Sequence, residues 1–220
     1  MESATPTSTP PDMVLSAAEA RVLACLVEKQ ATTPENYPLT ANAVVLACNQ
    51  KTSREPIMEL EPGEVGHVLR QLEDRRLVRA IHGSRAQRYE HRFATLYSLT
   101  AKQQALLTVM ALRGPQTLAE LLTRSERLAT FADLEDVQQT LDRLIQRSPA
   151  LALRLSRLAG QREDRYMHLL CGPVDAALYA QSTATPAAPR RAGLEARVEA
   201  LEQAVQELRE QLAELGAQQR

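Results

Sequence analysis

Leu15-Ser16-Ala17-Ala18-Glu19-Ala20-Arg21-Val22-Leu23-Ala24-Cys25-Leu26 lines up with Leu99-Thr100-Ala101-Lys102-Gln103-Gln104-Ala105-Leu106-Leu107-Thr108-Val109-Met110. Each stretch opens with a capping-box pattern, Ser16 with Glu19 and Thr100 with Gln103, which satisfies two orphan N–H groups at a helix start. Apolar residues then recur at helical spacing, Val22, Leu23 and Leu26 in one copy, Leu106, Leu107 and Met110 in the other. The chain therefore repeats itself, and the repeat unit begins with a helix.

Further along, Glu64-Val65-x-x-Val68-Leu69-x-x-Leu72 parallels Asp136-Val137-x-x-Thr140-Leu141-x-x-Leu144, a second amphipathic helix in each copy. A hairpin pattern follows both. In the first copy it runs Leu77 to Ile81, turns at Gly83-Ser84 and returns from Gln87 to Phe93. In the second it runs Leu151 to Leu155, turns near Gly160 and returns from Arg165 to Leu170. The returning strands share a phrase, Arg88-Tyr89-Glu90-His91 against Arg165-Tyr166-Met167-His168, and the two tyrosines read as packing residues. One more helix stands between the paired helices, about Thr40 to Asn49 and about Leu118 to Thr123. Three helices and a two-stranded wing, twice over, predict a mainly α, α+β fold of two tandem winged helix-turn-helix domains. The boundaries follow: a tail over 1–13, domains over 14–95 and 96–172, a linker over 173–193 and a coiled-coil helix over 194–216.

The copies differ in their connections. The second joins its first two helices through Arg113-Gly114-Pro115-Gln116-Thr117, whereas the first spends Gln30 to Leu39 there and adds Gln50 to Leu60 before its third helix. Loops of this density in polar residues often carry function, and Asn49, Gln50, Lys51 and Arg54 are the candidates. Pro and Asn also shape turns and caps, so a purely structural role is the competing reading. Together Glu28-Lys29-Gln30, Thr33-Pro34, Tyr37-Pro38-Leu39, Asn42, Cys48-Asn49-Gln50-Lys51 and Arg54-Glu55-Pro56 resemble the YceH-like family of bacterial proteins of unknown function. Arg113 to Thr117 and Arg165 to Leu169 extend the resemblance, which spans roughly Leu15 to Gly172. It implies two winged-helix domains and a C-terminal coiled coil. It carries over no activity and no catalytic residue.

Composition narrows the function classes. Among 220 residues, 26 Lys+Arg nearly cancel 27 Asp+Glu, and aromatics make up 3% with no Trp. A histone-like polycation is excluded, and little is available for stacking on bases. Cys25, Cys48 and Cys171 form no C-x-x-C pair, so neither a disulfide framework nor a cysteine zinc site is expected, and a reducing cytoplasm fits. The first thirteen residues hold Pro, Ser and Thr with no apolar run, which reads as a disordered tail and not as a signal peptide. No window approaches the ~20 apolar residues of a membrane span. His67, His82, His91 and His168 are scattered, no phosphate-binding glycine loop or nucleophile elbow occurs, and Cys48 reads as a buried, inert thiol. A non-enzymatic binding protein with no cofactor and no metal site is the expectation.

Two partners remain. Winged helices commonly read duplex DNA with the third helix and the wing. Residues 70–92 hold seven Arg and three acids, which makes Arg70, Arg75, Arg79, Arg85 and Arg88 the candidate DNA contacts. Against this, the third helices open on carboxylates, Glu59, Glu61 and Glu64 in the first copy and Asp133, Glu135 and Asp136 in the second. Net charge is only +1 over residues 14–95 and +2 over residues 99–172. DNA binding comes first on fold analogy, and a protein-interaction scaffold is the alternative.

The tail is a separate signal. Leu194, Val198, Leu201, Val205, Leu208, Leu212 and Leu215 alternate at spacings of four and three, a heptad seam with Val at two a positions and Leu at d. That pattern favours a parallel homodimer, with Arg197 at g reaching Glu202 at the following e. Truncation after Gly172 is expected to lower the mass measured by light scattering or raise the dimer dissociation constant. An unchanged dimer of equal affinity would remove the tail from dimerisation.

Overall fold

The computed structural model describes residues 14–82, 86–157 and 162–174. The seam of 194–216, the expected 1–13 tail and the expected 173–193 linker (apart from Pro173 and Val174) lie outside them, as does Arg85 at the first hairpin turn.

Both expected capping boxes form. Ser16 Oγ accepts from the Glu19 amide and Glu19 returns the bond to the Ser16 amide, opening α1 (Ala17–Thr32). Thr100 and Gln103 do the same for α5 (Ala101–Arg113), which ends at Gly114, whose φ of 70° is open to glycine at little cost. In the first copy a 3₁₀ turn (Pro34–Asn36) and the short strand β1 (Leu39–Thr40) lead into α2 (Ala41–Cys48) and α3 (Pro62–Asp74). The hairpin is β2 (Val78–His82) with β3 (Gln87–His91), and β1 adds to it in the order β1-β3-β2. In the second copy α6 (Leu118–Ser125) and α7 (Leu134–Ile145) precede β4 (Ala152–Leu155) and β5 (Arg165–His168). The place of β1 is taken there by a single bridge, Gln116 to Tyr166, matching Leu39 to Tyr89.

One element was not expected. The strand pattern continues to Phe93, but the strand stops at His91, where its partner strand begins at Val78, and α4 (Phe93–Tyr97) follows. Phe93 and Tyr97, one helical turn apart, are both buried and meet edge to face at 5.2 Å. Ser98 then takes a left-handed conformation and the chain enters α5. In the second copy the strand was read on to Leu170 and ends at His168. Beyond it the Leu170 carbonyl accepts from the Leu15 amide, tying the end of the second copy to the start of the first.

The two copies share one core. Nine consecutive residues of α1, Glu19 to Val27, are buried, so this helix has no solvent face along that length. α5 is nearly as enclosed, from Gln103 to Leu112. They pack on each other, each being covered elsewhere by the helices of its own copy, α2 and α3 on α1, α6 and α7 on α5. Residues 14–174 therefore form one compact unit.

The repeated Arg-Tyr-x-His phrase acts alike in both copies. Arg88 donates to the Pro38 carbonyl (2.7 Å) and Arg165 to the Pro115 carbonyl (2.9 Å), each clamping the segment that enters the middle helix. Tyr166 is buried and donates to Gln138, and Tyr89 is half-buried. His91 Nδ1 accepts from the Phe93 amide and His168 Nδ1 from the Leu170 amide, each two residues on. Burial pushes both imidazoles down to about 4. In the unfolded chain they titrate near 6.5, so between those values the unfolded state binds more protons. Stability is expected to fall as pH drops through about 6.5 toward 4 and to level off below it. His168→Asn, which keeps an acceptor near Nδ1, should remove about one proton from this dependence, roughly 1.4 kcal/mol per pH unit at most, in urea titrations between about pH 7 and pH 5. An unaltered slope would show that His168 is accessible to protons in the folded state.

Candidate functional site

The inserted loop of the first copy is built around two buried guanidinium groups. Arg21, in the middle of α1, donates to the Cys48 carbonyl (3.3 Å) and the Pro56 carbonyl (2.7 Å), and its Nε has no acceptor among the described residues. Arg54, whose side chain is 0% exposed, donates to Glu28 on α1 at 2.6 and 3.1 Å, to the Ala47 and Ser53 carbonyls, and to Gln50 Oε1. Asn49 closes the same loop by exchanging two 2.9 Å bonds with the Leu60 backbone. Glu55 donates from its amide to the Leu112 carbonyl at the end of α5, and Arg113 donates to Ser53 Oγ. The segment is thus the seam between the copies. Of its four candidates Arg54, Asn49 and Gln50 hold it together, and only Lys51 stands exposed without a hydrogen-bond or ion-pair partner among the described residues. The expectation that Arg54 faces a ligand is corrected: burial takes it out of reach.

Beside Arg21 and Arg54 lie the thiols of Cys25 and Cys48, both buried. The neighbouring Cys25 thiol and burial push Cys48 far above the usual thiol range, and its enclosure is as expected from sequence.

The arginines singled out for DNA are mostly committed within the fold. Arg75 caps the end of α3, donating to Glu19 (2.9 Å) and the Val14 carbonyl (3.1 Å), so it ties α3 to the start of α1 and does not extend toward a groove. Arg79 pairs across the hairpin with Glu90 at 2.7 Å. Arg88 is the Pro38 clamp just described. Arg70 remains exposed on α3, which also exposes Glu64 and Asp74. On the second hairpin Arg154 pairs with Asp164, and Arg165 with Glu120 at 3.0 Å. Near that hairpin an open cavity of about 780 Å³ is lined by arginines and acids together, among them Arg157, Arg162 and Glu163.

A different surface on the first copy has no such internal balance. An open groove of about 380 Å³ runs between the end of α1, the insertion before α2, and α2 itself. Lys29 and Arg88 supply its cations, Leu39, Ala43 and Leu46 its apolar wall, and no carboxylate is among its lining residues. Glu28 lies 3.9 Å from Lys29 but is already engaged by Arg54. Leu46 is 66% exposed, the most exposed large apolar side chain among the described residues.

A family model described as a protein of unknown function, DUF480, matches residues 15–161. The chain belongs to this family. The resemblance read from its sequence words is consistent with that membership. Among similar proteins, the UPF0502 protein of Xanthomonas oryzae pv. oryzae is 54% identical over 216 residues, 96% of each chain. That of Mesorhizobium japonicum is 53% identical over 203 residues, 92% of this chain and 97% of its own. That of Stenotrophomonas maltophilia is 54% identical over 211 residues, 94% of this chain and 96% of its own. Their names state no activity, so the family leaves function to the geometry.

The groove was not singled out from sequence. Its signal is Leu46, an apolar residue on the outward side of a short helix, where the second copy has Thr123. The loop itself can be tested. Arg54→Ala strands Glu28 beside the core and is expected to cost about 3 kcal/mol, lowering the melting temperature by roughly 10 °C. Lys51→Ala should change it by less than about 0.5 kcal/mol. Equal effects of the two, measured by calorimetry, would show that the Arg54–Glu28 pair does not hold the seam.

Proposed function

We propose that this chain is a non-enzymatic protein-docking module, two winged-helix units fused through α1 and α5, and that its docking surface is the groove beside α2. The observation that carries the reading is the contrast between surfaces. On the third helices and hairpins, which would face a duplex, four cations are offset: Arg75, Arg79, Arg154 and Arg165 each meet a carboxylate, and exposed Glu59, Glu61 and Glu64 precede or open α3. Phosphates would meet negative charge at the place where a recognition helix enters the major groove. The α2 groove instead combines an exposed leucine with two cations and no carboxylate in its lining, the composition of a protein contact.

Chemistry by the protein's own side chains finds little support. His91 and His168 are held neutral in internal bonds, and Cys25 and Cys48 are enclosed. Among the described residues no three His, Cys, Asp or Glu side chains converge on a metal position, and no helix is long and apolar enough to cross a membrane. The heptad pattern of 194–216 supports a homodimer, which would present two grooves at once and raise the avidity for a repeated partner.

DNA binding keeps the support of cations exposed on these elements, Arg70 on α3 above all. Fluorescence anisotropy decides between the two with a labelled duplex at ~50 mM salt, where nonspecific attraction is strong. No saturable binding is expected. In parallel, a photo-crosslinking residue at position 46 should yield protein adducts in cells, while the same residue at position 74 on α3 should not. Tight duplex binding, or adducts from position 74 alone, would overturn the docking reading.

A further inference from the structure

The second copy supplies a template for what the groove of the first copy accepts. α2 and α6 are both eight residues long and both open on a threonine cap, Thr40 accepting from the Ala43 amide and Thr117 from the Glu120 amide. Pro38 precedes one and Pro115 the other at the same spacing, and each proline carbonyl receives the clamping arginine of its hairpin. The two sites therefore superpose in sequence residue by residue: Ala43 corresponds to Glu120, Leu46 to Thr123, Ala47 to Arg124 and Arg88 to Arg165.

In the second copy the site is complete within the chain. The Glu120 carboxylate accepts from Arg165 at 3.0 Å and from the Thr117 amide at 3.0 Å, and pairs with Arg124 at 3.2 Å. These donors hold Glu120 below the usual carboxylate range despite its partial burial. In the first copy the carboxylate is missing. Ala43 lines the groove where Glu120 would stand, and Arg88 Nη1, whose counterpart on Arg165 holds both the Pro115 carbonyl and Glu120, is spent on the Pro38 and Asn36 carbonyls. Its other donors meet no acceptor among the described residues. Beside the vacant position the polar Thr123 is replaced by the exposed Leu46.

We infer that the groove of the first copy receives an acidic side chain of a partner protein, its carboxylate on the remaining donors of Arg88, Nε and Nη2, beside the position that Glu120 takes on Arg165 Nη1. An apolar side chain one or two residues away on the partner packs on Leu46 and Ala43, and Lys29, which also lines the groove, adds attraction. This rests on the docking reading above and names the partner's chemistry: an exposed segment that pairs Asp or Glu with Leu, Ile, Val or Phe. The groove is too open to bury a small molecule as enclosed pockets do, whereas a peptide segment brings its own cover.

The internal template also provides the test. Ala43→Glu in the full chain should complete the capping box with Thr40 and the ion pair with Arg88, raising the melting temperature while filling the partner's place. A random peptide library displayed on phage is selected against the full chain, and enriched peptides are synthesised and titrated by anisotropy. The expected peptides combine an acidic with an apolar residue. Their affinity should fall by about tenfold or more on both Ala43→Glu and Leu46→Ser. Leu46→Ser alters an exposed position, so it keeps the test valid if Ala43→Glu fails to fold. Peptides indifferent to both substitutions would overturn the groove assignment and leave protein docking standing. Enrichment of basic peptides, or no enrichment at all, would also overturn it. Duplex binding that is lost in Ala43→Glu would overturn both, because Arg88 would then serve phosphates.

Discussion

α1 is enclosed on every side, and the rest of the structure is arranged to make that possible. A helix buried over nine consecutive residues cannot confine its polar groups to one face, and Arg21 sits in the middle of that stretch. A buried guanidinium must find acceptors, since leaving it unpaired costs more than any single packing contact returns. The acceptors are the Cys48 and Pro56 carbonyls, so the chain after α2 is drawn back over α1. Arg54 then enters from the same loop and meets Glu28, two turns further along α1. Two cations thus shape a segment that has no helix or strand of its own, and Glu55 and Ser53 pass that order on to the end of α5.

How much of this the sequence disclosed depended on whether the signal was periodic or pairwise. The helices were legible because capping boxes and apolar spacing are local, and Ser16–Glu19 and Thr100–Gln103 form as read. The hairpins were legible for the same reason, although their ends were overrun, because Phe93 and Leu170 are apolar residues that continue a strand pattern while packing outside it. The roles of the arginines were not legible. Arg54, Arg75 and Arg88 look alike in sequence, and only the partners brought by folding separate a core cation from a helix tie and a carbonyl clamp. The shared Arg-Tyr-x-His phrase was seen, but its meaning lies in the Pro38 and Pro115 carbonyls some fifty residues earlier.

The same comparison of copies separates what the fold needs from what it leaves over. Where both copies use a residue in the same way, as with the clamp, the threonine caps and the histidine acceptors, the role is structural. Where they part, at Ala43 against Glu120 and Leu46 against Thr123, the second copy balances its charge internally and the first does not. A short ion-pair network is worth little in stability on an exposed surface. Its absence from one copy therefore costs the fold almost nothing, and a surface can be left open there without threatening the core.

The mutual burial of α1 and α5 has a kinetic and an evolutionary side. Two like units that associate as separate chains come apart on dilution, but units joined by a few residues through α4 hold each other at a local concentration that dilution cannot lower. Neither half faces water with its central helix bare, at any protein concentration. The arrangement also links the histories of the copies: an enlarged side chain on α5 has to be absorbed on α1, so their inner faces can change only in step. Their outer faces carry no such bond. A duplicated sequence joined in this way can keep one half as it was and let the other explore new contacts.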